Sequence, residues 1–164
     1  DSGQEFQTMI IEATAGDFEA LLKGRAPGGL RLISDGAIAP TEVLEMLRGL
    51  ADQIRPAFAP SAWFIIAGGE VVGLCSITRP PNDGEVHIGY GVGETRQGRG
   101  YARQAIADVL AWGRADPRVL QISAETGDDN IPSQRVLQRN GFVRIGTRID
   151  AEDGPVICWR ASTS

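Results

Sequence analysis

Glu94-Thr-Arg-Gln-Gly-Arg-Gly-Tyr-Ala-Arg103 is the stretch on which the reading of this chain turns. The residues ahead of it, Glu85 to Val92, read as a strand. Those after it put Ala102, Ala105, Ile106, Val109, Leu110 and Gly113 on one stripe of helical spacing, which predicts a helix over 98–115. A glycine-rich turn between a strand and a helix exposes successive backbone N–H groups. Gly98 and Gly100 put no side chain in the way, and the helix start adds the positive end of its dipole. Such a turn can form a nest for a phosphate or pyrophosphate. Arg96, Arg99 and Arg103 add positive charge to it. The same residues also suit a plain strand-to-helix turn with solvated arginines. The stretch is not a Walker loop, which needs Gly-Lys-Ser/Thr, nor a dinucleotide fingerprint with three spaced glycines.

Working outward, 6–13 reads as a first strand and 17–23 as a short helix. Residues 30–39 show no clear period. Pro40 to Ile54 is helical, with Val43, Leu44, Leu47, Leu50, Ala51 and Ile54 on one face. A meander follows: strands over 62–67 and 71–78 joined at Gly68-Gly69, a turn cluster at 80–84, then Glu85 to Val92. Beyond the central helix lie a strand over 119–125, a helix over 130–140 stopped by Gly141, and strands over 142–149 and 156–161. The expected fold is α/β (α+β), with a mixed sheet covered by helices.

The length of 164 residues fits one domain, 1–164, in which 1–8 read as a tag or a processed start. The net charge of −5 gives no basic face for nucleic acid, and no apolar run is long enough to span a membrane. Cys75 and Cys158 lie far apart, and His87 is the single histidine. No metal site is therefore expected, and both cysteines read as buried, reduced thiols of a cytoplasmic protein.

The loop resembles the phosphate loop of the GNAT superfamily of N-acetyltransferases, Gln/Arg-x-x-Gly-x-Gly/Ala, at each fixed position of Gln97-Gly-Arg-Gly-Tyr-Ala102. A second signature of that family is similar to Asn130-Ile-Pro-Ser133 through Gly141-Phe142. The resemblance covers about residues 62–160 clearly, and two spaced motifs in the right context are specific where either alone is weak. It implies a mostly antiparallel sheet of six to seven strands with about four helices, splayed between the fourth and fifth strands. It also implies acetyl-CoA as co-substrate. Val92, Gln97, Gly98, Arg99, Gly100, Tyr101 and Ala102 would bind coenzyme A, with Asn130 and Ser133 close to it. An N–H near Val92 would polarise the thioester carbonyl. Asn130 would serve equally as a simple helix N-cap.

Attack of an amine on a thioester needs a base and fixed donors for the oxyanion. Strict alternation puts Glu85, His87, Gly89 and Gly91 on one face as a groove wall, and Val86, Ile88, Tyr90 and Val92 in the core. His87 and Glu85 are the candidate bases, although a strand histidine can also be a satisfied rim residue. Many relatives carry a tyrosine acid in the last helix; here Leu137 stands at that position. The resemblance is thus closer to the ribosomal-protein N-terminal acetyltransferase-like branch, with Ser133 as candidate acid. The expected acceptor is a small-molecule amine or a peptide N-terminus, and the oligomeric state, a dimer included, is not legible. A coenzyme A-binding sensor without turnover and a different nucleotide-binding enzyme are the competing readings.

Overall fold

The computed structural model describes residues 7–164. Phe6, the expected start of the first strand, lies outside them. The element order is β1 (Thr8–Glu12), α1 (Ala15–Leu22), β2 (Arg31–Leu32), α2 (Thr41–Ile54), β3 (Ala62–Ala67), β4 (Glu70–Ile77), β5 (Glu85–Val92), α3 (Tyr101–Ala115), β6 (Gln121–Gly127), α4 (Ile131–Arg139), β7 (Val143–Asp150) and β8 (Gly154–Ser162). The expected elements form within a few residues of their predicted bounds. The addition is β2, a two-residue strand parallel to β4 inside the stretch that showed no period. It brings the sheet to eight strands, one more than the upper expectation.

The sheet runs β1-β3-β4-β5-β6-β8-β7, and all neighbours on this path are antiparallel except β5 and β6. Strand alternation splits the core over the two faces. Trp63, Cys75, Val86, Ile88, Ile122 and Trp159 pack with Ile106, Val109 and Leu110 of α3 and Leu137 of α4. Phe64, Ile66 and Leu74 pack on the other face with Phe18 of α1 and with Leu44 and Ala51 of α2. Val43, expected on the inner face of α2, is exposed, because the contact with the sheet turns on Leu44, Ala51 and Ile54. Cys75 is fully buried, whereas Cys158 is only half-buried and so departs from expectation. It lies on β8 against the lightly covered β7 edge.

Two features of the sheet shape the groove described below. The parallel ladder of β5 and β6 ends at Ile88–Ala124, although β5 continues to Val92 and β6 to Gly127. The strands therefore part where the resemblance expected a splay. On its other side β5 stays paired with β4 through Gly73–Val92 with no register shift. There the backbones approach so closely that a Cβ at Gly73 would stand 2.3 Å from the Gly91 carbonyl oxygen. Gly73→Ala is expected to destabilise the fold by about 1–3 kcal/mol, as overpacking does. That would lower the melting temperature by roughly 2–9 °C in a chain of this size, measured by scanning calorimetry.

Candidate active site

The parting strands open a groove of about 650 Å³. One wall is Tyr90, Gly91 and Val92 of β5, the floor is the turn into α3, and the far wall is the start of α4. Thr78 N–H bonds the His87 carbonyl, and Gly93 N–H bonds the Val72 carbonyl. Odd-numbered residues of β5 thus turn their peptide groups to β4, and alternation aims those of Tyr90 and Val92 at the gap left by β6. The Val92 carbonyl accepts a bond from Gln97 Nε2 at 3.0 Å, which ties the strand end to the turn.

The turn itself is open. Gly98 and Gly100 hold φ of 78° and 82°, the left-handed region that costs other residues about 1–2 kcal/mol. Gly100 is the N-cap of α3, and no side chain caps the helix. The first helical bond runs from Gln104 N–H to the Gly100 carbonyl at 3.1 Å. Among the described residues, the N–H groups of Gly98 to Arg103 meet no acceptor. A row of unpaired amides at a helix start attracts an anion.

The three loop arginines have different surroundings. Arg96 is clamped: its Nε and Nη2 reach Glu70 at 2.7 and 3.1 Å, and its Nη1 reaches Asp35 at 2.9 Å. It holds the turn to β4 and is already neutralised. Arg99, expected at the cofactor, lines a smaller hollow with Arg31, Asp35 and Glu70 instead. Arg103 lines the main groove. Arg135 and Arg139, which sequence reasoning missed, line it too from α4. Their spacing of four residues puts both on one helix face and was the available signal.

Of the other expected binding residues, Val92, Gln97, Gly98, Gly100, Tyr101, Ala102, Asn130 and Ser133 all line the groove. Asn130 is also the N-cap of α4, with its Oδ1 accepting from Ser133 N–H at 3.2 Å. Tyr90 packs against the core as expected, but it also lines the groove. Its hydroxyl lies 2.8 Å from Ser133 Oγ and 3.2 Å from the Ser133 carbonyl oxygen, because α4 begins opposite the freed end of β5.

His87 and Glu85 do not line this groove. They stand at the apex of the parting strands, on the face opposite α3 and α4. His87 is 8% exposed. Its Nδ1 lies 2.7 Å from Ser123 Oγ, which in turn donates to Glu85 Oε2 at 3.1 Å. With that proton on Glu85, the Ser123 oxygen suits an Nδ1–H donor, whereas Arg79, which can only donate, suits Nδ1 as acceptor. Arg79 Nη2 stands 3.2 Å from the same Nδ1 and 4.0 Å from Glu85. Burial, with the Arg79 charge second, pulls the His87 pKa below its ordinary value against the opposing pull of Glu125 and Glu85. Beside it Glu125 is held by Arg148 through two bonds of 2.6 and 2.7 Å. Glu125 sits on β6 just past the split.

The comparisons agree with this fold. A ribosomal L7/L12 α-N-protein acetyltransferase, RimL, solved in complex with coenzyme A, superposes with a TM-score of 0.70 at 19% identity over 94% of this chain and 93% of that one. A spermidine N-acetyltransferase SpeG chimera from Vibrio cholerae and hSSAT gives 0.70 at 15% identity over 96% of each. N-acetyltransferase p20 of Bacillus licheniformis, itself uncharacterised, is 29% identical over 84 residues, 51% of this chain and 47% of that protein. The chain spans about half the length of the curated relatives it matches. Residues 10–143, from β1 to the start of β7, match the family model described as an acetyltransferase (GNAT) domain. The chain belongs to the GNAT acetyltransferase family.

Proposed function

We propose that this chain is an acetyl-CoA-dependent N-acetyltransferase whose acceptor is an α-amine, either a protein N-terminus or an amino-acid-like molecule. The observation that carries the reading is the row of unpaired amides from Gly98 to Arg103 beside the freed edge of β5. The residues fit the co-substrate. The amides suit a diphosphate, and Arg103, Arg135 and Arg139 supply charge for its remaining phosphate. The peptide groups of Tyr90 and the Val92 N–H, turned to the gap left by β6, suit the amides of a pantetheine arm laid along β5 as an added strand.

Acetyl-CoA supplies an activated acyl thioester. The chain's own residues do the rest. The Val92 N–H donates to the developing oxyanion. His87, neutral at pH 7, takes the amine proton on Nε2 in the tautomer whose Nδ1–H faces Ser123 and Glu85. An α-ammonium has a pKa of about 8, so a modest base is enough, whereas an alkylammonium near about 10 asks for more. RimL, of similar fold, is named for acting on a protein α-amine; here Leu137 stands where many relatives are expected to carry the tyrosine, and it is fully buried. The unpaired thiols of Cys75 and Cys158 suit a reducing compartment such as the cytoplasm.

The test measures free thiol release from acetyl-CoA against a panel of peptides with free N-termini, amino acids, polyamines and aminoglycosides. Turnover fastest on α-amines supports the reading. Faster turnover on polyamines or aminoglycosides overturns the acceptor class. Tight coenzyme A binding with no turnover on any amine makes the chain a sensor.

A further inference from the structure

The last helix has no tyrosine to face the leaving group, yet a tyrosine reaches Ser133 from the opposite wall. Tyr90 and Ser133 lie on different elements, β5 and α4, and both line the groove. Their hydroxyls are 2.8 Å apart. Ser133 is held from a second side, since its N–H is tied to Asn130 Oδ1 at 3.2 Å. We propose that Tyr90 is a positioning residue that turns the Ser133 hydroxyl into the hydrogen-bond donor for the thiolate leaving from coenzyme A. The inference rests on the acetyl-CoA reading above.

Counting protons gives the direction of the effect. A phenol has one hydrogen, and Tyr90 has two acceptors in reach, Ser133 Oγ and the Ser133 carbonyl at 3.2 Å. When the hydrogen goes to the carbonyl, the serine proton turns back onto the tyrosine oxygen. When it goes to Oγ, the serine proton is released to point into the groove. A hydroxyl that accepts one bond is also a stronger donor in the next. Negative charge arriving at the sulfur selects the second arrangement, because a charge-assisted bond is roughly twice as strong as a neutral one.

The step balances as follows. The acceptor nitrogen has bonded to the acyl carbon; the carbon–sulfur bond breaks, its electron pair goes to sulfur, and the product is an amide and the coenzyme A thiolate. The acceptor nitrogen has given its surplus proton to His87. Ser133 donates a hydrogen bond to sulfur, Tyr90 donates one to Ser133, and both keep their protons. The thiolate takes a proton from water after release. Full transfer from Tyr90 would run uphill: burial pushes its phenol up to about 12, and an ordinary thiol titrates at about 8.5.

The experiment titrates the ultraviolet absorbance of the coenzyme A thiolate bound to the full chain. In the wild-type protein the bound thiol should titrate about one pH unit below its free value, a tenfold preference for thiolate. Tyr90→Phe and Ser133→Ala should each return it to the free value, and the double variant should match Ser133→Ala alone. The turnover number of Tyr90→Phe should fall about tenfold. Coenzyme A affinity measured well below the thiol titration, and the melting temperature, should stay at wild-type values. An unshifted Tyr90→Phe titration overturns the inference. So does a double variant that goes beyond Ser133→Ala, or a rate loss matched by equal losses of affinity and melting temperature. Ser133→Ala leaves β5 untouched and reads the same donor if Tyr90→Phe does not fold. Wild-type protein that binds no coenzyme A overturns the acetyl-CoA reading itself, whereas binding with an unperturbed thiol overturns only the role of the pair.

Discussion

Gly100→Glu is expected to lower coenzyme A affinity by more than about 100-fold while the protein stays folded. The position lies in the left-handed region at φ 82°, and a built Cβ meets nothing within 4 Å. The local cost is therefore backbone strain of about 1–2 kcal/mol. The larger effect is on binding. A carboxylate at the mouth of the unpaired amides competes for the same donors and repels the diphosphate. Losing two charge-assisted bonds of about 1.5–3 kcal/mol each is enough for the expected change. Isothermal titration calorimetry with coenzyme A measures it. Gly24→Glu is the control, because Gly24 has φ 73° and the same open surroundings but lies at the end of α1, away from the groove. Equal affinity losses in both variants would mean that general strain, not the amide row, explains the result. Unchanged binding in Gly100→Glu would remove the diphosphate from this turn altogether.

The second large effect is expected at His87. His87→Gln should lower the turnover number by about 10²–10⁴, the range of a lost general base, with little change in coenzyme A affinity. The pH dependence carries the sharper statement. Burial and Arg79 depress the His87 pKa, so the imidazole is neutral and competent at pH 7. The acid limb of the rate profile should have its midpoint below the ordinary histidine value of about 6.5, and His87→Gln should erase that limb. Stability follows the same linkage. The unfolded chain binds the proton more readily than the folded one. The contribution of neutral His87 is thus complete above pH 6.5 or so and is lost as pH falls through that value toward the folded pKa. Urea unfolding between pH 7 and 5 should show this loss in the wild-type protein and a smaller one in His87→Gln. An acid limb that survives in the variant assigns the base to another group.

Local signals made most of the elements legible. β3 and β5 form on the predicted residues because glycine and proline turns bound them closely. α3 begins at Tyr101 rather than at 98, because positive φ at Gly98 and Gly100 keeps both glycines out of the helix. β2 escaped because two residues carry no period, and they pair with β4 only once the chain has folded back. The alternation of β5 was read correctly as two faces, and Val86 and Ile88 lie in the core as expected. His87 and Glu85 were expected to wall the groove, which opens instead on the face of Tyr90 and Val92. Alternation says which residues share a face; it does not say which face a cavity opens on.

The sequence by itself determined the family and the glycine-rich turn into α3. Both depend on contiguous residues, a glycine pair and a helix start, whose geometry is set by local backbone sterics. Only the tertiary structure decided which side chains meet there. Parting of β5 from β6 after Ile88 brought α4 against the freed strand end, joining Tyr90 to Ser133 over a gap of 43 residues. Arg135 and Arg139 face the same groove from α4, whereas Arg99 faces the separate smaller hollow. Contacts of that separation depend on how whole elements pack, and no run of neighbouring residues encodes them.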